Sequence, residues 1–188
     1  MPDRSGLVTA EEFARIPDDD HRYELVEGRI IRMSPPGSLH AVLATRIASL
    51  LHQHAESNRL GEVFTPGGFH LARDPDTVRE PDVAFVRADR IPPEGLPDGF
   101  WPGPPDLAVE IRSPGDRPSE ILAKVAEYLA RGVRLAWVVD PKQRTVTVYG
   151  PHASPATLTV DDVLDGGEVL SGFRCGVRRL FGSEAVTL

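Results

Sequence analysis

Two hydrophobic periods and a set of breaks mark out the elements along this chain. Residues 9–15 (Thr9-Ala10-Glu11-Glu12-Phe13-Ala14-Arg15) predict a short helix capped by Thr9, with Glu12 three positions on as its capping-box partner and Pro17 as its stop. Tyr23-Glu24-Leu25-Val26 and Arg29-Ile30-Ile31-Arg32-Met33 flank Glu27-Gly28, a turn signal that predicts a hairpin. After Pro35-Pro36-Gly37, apolar residues at 39, 42, 43, 47, 50 and 51 recur at three- and four-residue steps and predict one long amphipathic helix ending before Gly61. Residues 62–64 and 69–71 read as one strand bent or bulged at Pro66-Gly67-Gly68, and 82–86 as the next strand.

The stretch 91–105 carries Pro92, Pro93, Pro97, Pro102, Pro104 and Pro105, which predicts an exposed loop without regular structure. A strand at 107–111, a helix over 118–131 closed by Gly132, and a strand at 135–139 predict a right-handed parallel crossover. Polar and apolar residues then alternate over 144–149, as expected of a half-exposed antiparallel strand, so the sheet is mixed. Beyond Gly150 the chain is short-paced and turn-rich, with no internal repeat, and is expected to extend the same domain. The pattern predicts an α/β (α+β) fold, a mixed β-sheet flanked by helices, in a single domain spanning 1–188.

Composition narrows the function. With 21 Lys+Arg against 28 Asp+Glu the formal charge is −7, which counts against a general nucleic-acid coat but leaves room for a local basic groove. At 40% hydrophobic and 26% charged, the chain is neither a disordered tail nor a fibre. The single cysteine, Cys175, allows no internal disulfide and no thiolate zinc site. No apolar run approaches the ~20 residues of a membrane span, and the opening Met1-Pro2-Asp3-Arg4-Ser5-Gly6 has no apolar stretch of the signal-peptide kind, so a cytoplasmic protein without a membrane partner is expected.

The most informative segment is Leu107-Ala108-Val109-Glu110-Ile111. A strand covered on both faces should be apolar throughout, and Glu110 breaks that rule, so it requires a cation, a metal or a proton. A structural ion pair with Arg112 or Lys124 is the plainer explanation. Asp82, before Val83-Ala84-Phe85-Val86, would alone be a solvated turn residue; if the two strands are neighbours, Asp82 and Glu110 bring hard oxygen donors together, which suits magnesium or manganese. Lys124 flanks the apolar stripe of the 118–131 helix, three after Ile121 and four before Tyr128. Its ammonium can reach the strand ends, or snorkel to the surface.

Pro81-Asp82 followed by Glu110-Ile111-Arg112 on the next strand resembles the PD-(D/E)XK nuclease signature. The wider set, Tyr23-Glu24-Leu25-Val26-Glu27-Gly28, Met33-Ser34-Pro35-Pro36-Gly37, Glu80 through Val86, Pro105 through Ile111 with Ser113-Pro114, and Tyr128 through Pro141, resembles the Uma-type restriction-endonuclease family from about residue 9 to 181. The resemblance implies a restriction-endonuclease-like core of order αβββαβ and metal-dependent endonuclease activity, with DNA as the preferred nucleic-acid partner. It also implies Asp82 and Glu110 as metal ligands holding Mg²⁺ or Mn²⁺, with the Ile111 carbonyl as an extra ligand. Glu24 is implied as an additional acid. Arg112 stands where the signature has lysine; it stays protonated and suits anchoring a phosphate, while Lys124 matches a lysine on the following helix and takes the catalytic role. A noncatalytic nucleic-acid- or protein-binding domain is the first alternative, motivated by Arg112 and the acidic total, and metal-dependent hydrolysis of a different phosphoester is a third option. A homodimer is expected if a duplex is cut in pairs.

Other candidates carry less. His52 and His54 point to different sides of one helix and make no zinc motif, and His40, in the first turn of the long helix where it could face the site, reads rather as a surface or capping residue. Ser34, Ser38 and Ser113 lack the surroundings of a nucleophile elbow, and no phosphate-cradling glycine loop is present.

Overall fold

The computed structural model describes residues 6–16 and 21–182. The readings of residues 1–5 and of Pro17 as a helix stop lie outside them. Helix α1 (Ala10–Phe13) carries the full Thr9–Glu12 capping box. Strands β1 (Tyr23–Val26) and β2 (Arg29–Arg32) form the predicted hairpin, turned by Glu27 and Gly28 at positive φ. The long helix α2 (Ser38–Asn58) follows, then β3 (Gly61–Phe64), β4 (Phe69–Ala72), β5 (Thr77–Arg79) and β6 (Val83–Arg87). The two-residue β7 (Trp101–Pro102) precedes β8 (Leu107–Ile111), α3 (Pro118–Ala130), β9 (Leu135–Asp140), β10 (Thr145–Gly150) and β11 (Ala153–Leu158). A small hairpin, β12 (Val163–Asp165) with β13 (Arg174–Gly176), leads into α4 (Val177–Phe181).

The main sheet has order β11-β10-β9-β8-β6-β3, with β8 and β9 parallel and joined through α3, and its other pairs antiparallel. Its centre follows the chain order α2, β3, β6, β8, α3, β9, the expected αβββαβ core. Along β8, Leu107, Val109 and Ile111 pack with Leu43, Ile47 and Leu51 of α2, while Ala108 packs on the opposite side with Tyr128 of α3. The late elements are part of the same packing: Leu164, Phe173, Cys175, Leu180 and Phe181 join the α2 side of the core. A second sheet, β2-β1-β5-β4-β7, stands beside the first.

Four expectations are corrected. Residues 62–64 and 69–71 are separate strands in different sheets, the chain passing from one sheet to the other through Pro66-Gly67-Gly68; a Cβ on Gly68 would lie 2.3 Å from the Phe100 ring. The proline-rich stretch is not wholly irregular or exposed. Trp101, 4% exposed, donates its N–H to Gly68 and pairs in parallel with Phe69, while Pro102 occupies a sheet edge where no donor is required. Strand β5 was not anticipated at all. On α2, Leu39 and Val42 face solvent, the buried stripe being Leu43, Ile47, Ala48, Leu51 and Ala55.

Candidate active site

Antiparallel pairing of β6 with β8 sets Val83 opposite Val109, so Asp82 falls one step beyond the ladder, opposite Glu110. Strand alternation sends Glu110 to the same side as Ala108, toward α3. The ladder ends on a side chain: the Ile111 N–H donates to Oδ2 of Asp82 at 2.8 Å, fixing that carboxylate against β8. Both acids are buried, Asp82 at 8% and Glu110 at 7% exposure.

Helix α3 covers this spot. Pro118 opens it at a first-turn position where a missing N–H costs nothing, and one face turns Val125 and Tyr128 inward. The Lys124 ammonium lies 2.9 Å from Oε1 of Glu110 and 2.9 Å from Oε1 of Glu24, so it points into the site rather than to the surface. The Tyr128 hydroxyl donates to Oε1 of Glu110 at 2.6 Å. From β1, Glu24 also accepts the Glu80 N–H at 3.0 Å and the Arg79 guanidinium at 2.8 Å; Arg79 in turn holds Glu127 of α3. From before β1, Arg22 lies 3.3 Å from Oδ1 of Asp82 and 3.6 Å from Glu80.

The charges are unequally compensated. Burial pushes the Glu110 carboxyl up to about 7; Lys124 opposes the rise, while Asp82 and Glu24 add to it by repulsion. For Glu24 burial works in the same upward direction, but Lys124, Arg79 and the Glu80 N–H outweigh it, and its pKa ends below the usual value. Asp82 is likewise lowered, burial being overcome by His40 and the Ile111 N–H. Lys124 is pulled down by burial yet ends raised, because two glutamates face it. The site therefore holds one acid biased toward its protonated form beside two biased toward their charged forms.

Sequence reasoning brought Glu24, Asp82, Glu110 and Lys124 forward, and the structure sets all four in this pit. Arg112 stands apart: it pairs with Asp140 at the end of β9, not with Glu110. Of the two cations considered as structural partners for Glu110, it is Lys124 that pairs with it. His40 corrects its surface-or-cap expectation. From the first turn of α2 its Nε2 reaches Oδ2 of Asp82 at 3.0 Å, with the side chain 11% exposed. That hydrogen bond raises the imidazole pKa against the opposing effect of burial. The helix-start position after Pro35-Pro36-Gly37 was the available signal, since a first-turn residue can reach across to a strand end. Arg79, on the unforeseen β5, and Arg22 carried no signal of their own. Tyr128 read only as part of an apolar stripe.

Among the described residues no cluster of three or more His, Cys, Asp or Glu side chains forms a ready-made metal cage. The two facing acids still suit a hard divalent ion: the donors are carboxylate oxygens, and Glu110 is short of positive charge even with Lys124 beside it. Nδ1 of His40 and Nε of Arg22, both buried, find no hydrogen-bond partner among the described residues.

An αβββαβ core with acids facing each other across its central strands and a lysine from the crossover helix defines the restriction-endonuclease-like class. The family model described as "Uma2: Putative restriction endonuclease" matches residues 10–178, and the chain belongs to that family. The crystal structure of a protein described as a putative nuclease belonging to DUF820, from Anabaena variabilis ATCC 29413, is similar in fold, with a TM-score of 0.81 at 23% identity over 93% of this chain and 97% of that one. No curated protein matches the chain.

Proposed function

We propose that this protein is a divalent-metal-dependent endonuclease that hydrolyses phosphodiester bonds of nucleic acid, with DNA as substrate. The observation that carries the reading is the meeting of Asp82, Glu110 and Lys124 in one buried pit between β6, β8 and α3. Asp82 and Glu110 would hold Mg²⁺ or Mn²⁺, with the Ile111 carbonyl beside them; the bound ion supplies Lewis acidity toward water and phosphate. Lys124, fixed between Glu24 and Glu110, offsets negative charge growing on the phosphate, and Glu24 holds the attacking water from the other side of that ammonium. Arg112 anchors a neighbouring phosphate after leaving Asp140. The longest contact on Asp82 is the 3.3 Å one to the part-exposed Arg22, which makes Arg22 the side chain to yield when a cation arrives. Cutting both strands of a duplex would call for a two-fold dimer.

A second reading has its own observation. Both oxygens of Asp82 and both of Glu110 already receive protein donors, as in a noncatalytic binding domain that kept the architecture. A cleavage assay on plasmid and single-stranded DNA with Mg²⁺, Mn²⁺ or EDTA separates them. The nuclease reading expects ion-dependent cutting that disappears in Asp82→Ala and in Glu110→Ala; cutting that survives both substitutions, or no cutting with either ion, overturns it.

A further inference from the structure

Strand β2 is an edge of the second sheet, and all four of its residues, Arg29-Ile30-Ile31-Arg32, are exposed. Its register ties it to the pit: Ile31 sits opposite Glu24, and the Met33 N–H donates to the Arg22 carbonyl at 2.8 Å. Ile30 and Ile31 are 42% and 43% exposed, which is unusual for two adjacent β-branched residues. The charge here departs from that of the whole molecule. In a chain of net charge −7, no Asp or Glu occurs from Gly28 to Ala55, while Arg29, Arg32 and Arg46 do. Neither Arg29 nor Arg32 has an ion-pair partner among the described residues.

Alternation along the strand distributes these side chains. Arg29 and Ile31 lie on the Glu24 face, Ile30 and Arg32 on the Leu25 face, so each side of the edge presents one arginine and one isoleucine about 7 Å of strand apart. A flat anionic surface would meet only one of those faces. A double-helical groove meets both, with a phosphate wall on either side and sugars and base edges between. The major groove of B-form DNA admits a β-ribbon, whereas that of A-form RNA is too deep and narrow. A second copy of the chain is disfavoured at this edge, because two-fold antiparallel pairing of β2 would set Arg29 directly against the partner's Arg32.

We propose that the exposed β2 edge is a docking surface for duplex DNA, seating one groove so that a phosphodiester is carried to the adjacent pit. The inference rests on the nuclease reading for its consequence, but binding tests it separately. Fluorescence anisotropy of a labelled 20-base-pair DNA duplex is followed against salt in EDTA, using the full chain. Wild-type protein is expected to bind, and Arg29→Ala/Arg32→Ala to lower the slope of log affinity against log salt by about 1.8, two phosphate contacts' worth. Arg29→Lys/Arg32→Lys, which keeps the charges, should retain the slope and so ties it to charge at these two positions; an unchanged thermal unfolding midpoint in the alanine variant separates lost charge from lost fold. An unchanged slope in the alanine variant, equal binding of duplex RNA, no duplex binding by the wild type, or a dimer dissolved by the alanine variant without loss of DNA binding would each overturn the proposal. Duplex binding with the expected slopes but no cutting with any divalent ion would leave the surface standing and remove the nuclease reading.

Discussion

The Tyr128 hydroxyl reaches Oε1 of Glu110 at 2.6 Å from one turn beyond Lys124, so a single helix delivers both a neutral and a charged donor to one buried carboxylate. The hydroxyl bond favours the ionised form, which makes its removal informative. In Tyr128→Phe the Glu110 pKa is expected to climb further above 7, with a loss of about 1–2 kcal/mol in stability for the missing hydrogen bond. Carbon-detected NMR titration of side-chain carboxyls reads the midpoint directly. A midpoint that stays put or falls would contradict the coupling.

Glu110 also sets a pH dependence of folding. Its folded pKa of about 7 lies above the usual glutamate value of 4.5, so the folded protein binds the proton more tightly than the unfolded chain. This group's favourable contribution is complete below pH 4.5 and is lost as pH rises through 7, a swing of about 3 kcal/mol. His40, also raised, slopes the same way. Asp82 and Glu24 are lowered and act oppositely, losing their contribution only as pH falls below the ordinary carboxylate range. Urea denaturation should therefore show wild-type stability declining from pH 5 to pH 8, with a shallower decline in Glu110→Gln. Parallel slopes for the two proteins would count against the raised pKa.

Lys124 and Arg112 differ in what each holds. Lys124, 10% exposed, separates two buried glutamates, and replacing it with methionine leaves Glu110 with no cation beside Glu24, which keeps its Arg79 partner. The expected cost is about 3–5 kcal/mol at pH 8, and smaller at pH 5, where Glu110 takes up a proton. Arg112 pairs with Asp140 near the surface, and Arg112→Met should cost about 1 kcal/mol or less at either pH. Comparable losses in the two variants would mean that Lys124 does not carry the charge balance of the pit.

These contrasts bear on what could be read from the chain itself. Glu110 stood out because one charge interrupts an apolar strand, and the order of helices and strands from α2 to β9 followed from local periodicity. Asp82 drew meaning only from the pairing of two strands, and Lys124 from its place at the edge of a helical stripe. His40 lies 42 residues from Asp82 and Arg79 lies 55 from Glu24. Contacts of that separation depend on where α2 begins and on a three-residue strand, β5, too short to show a period. Trp101 was hidden among prolines, which suggest irregular chain yet tolerate a sheet edge that needs few donors.

Ion binding and the proton on Glu110 should be linked. A divalent cation held by Asp82 and Glu110 requires the ionised carboxylate, so binding below pH 7 must expel the proton that burial retains. In a His40→Gln background, where the imidazole releases none, calorimetry in buffers of different ionisation enthalpy should find proton release on Mn²⁺ binding that is larger at pH 5.5 than at pH 8.5. The same ion should raise Tm at pH 8, and Asp82→Asn should abolish both effects. A Tm shift without proton release would place the ion elsewhere on the molecule. Neither effect, at millimolar Mn²⁺ and Mg²⁺, would favour the binding-domain reading, in which Arg22, His40, Lys124 and Tyr128 permanently fill the positions a cation would take.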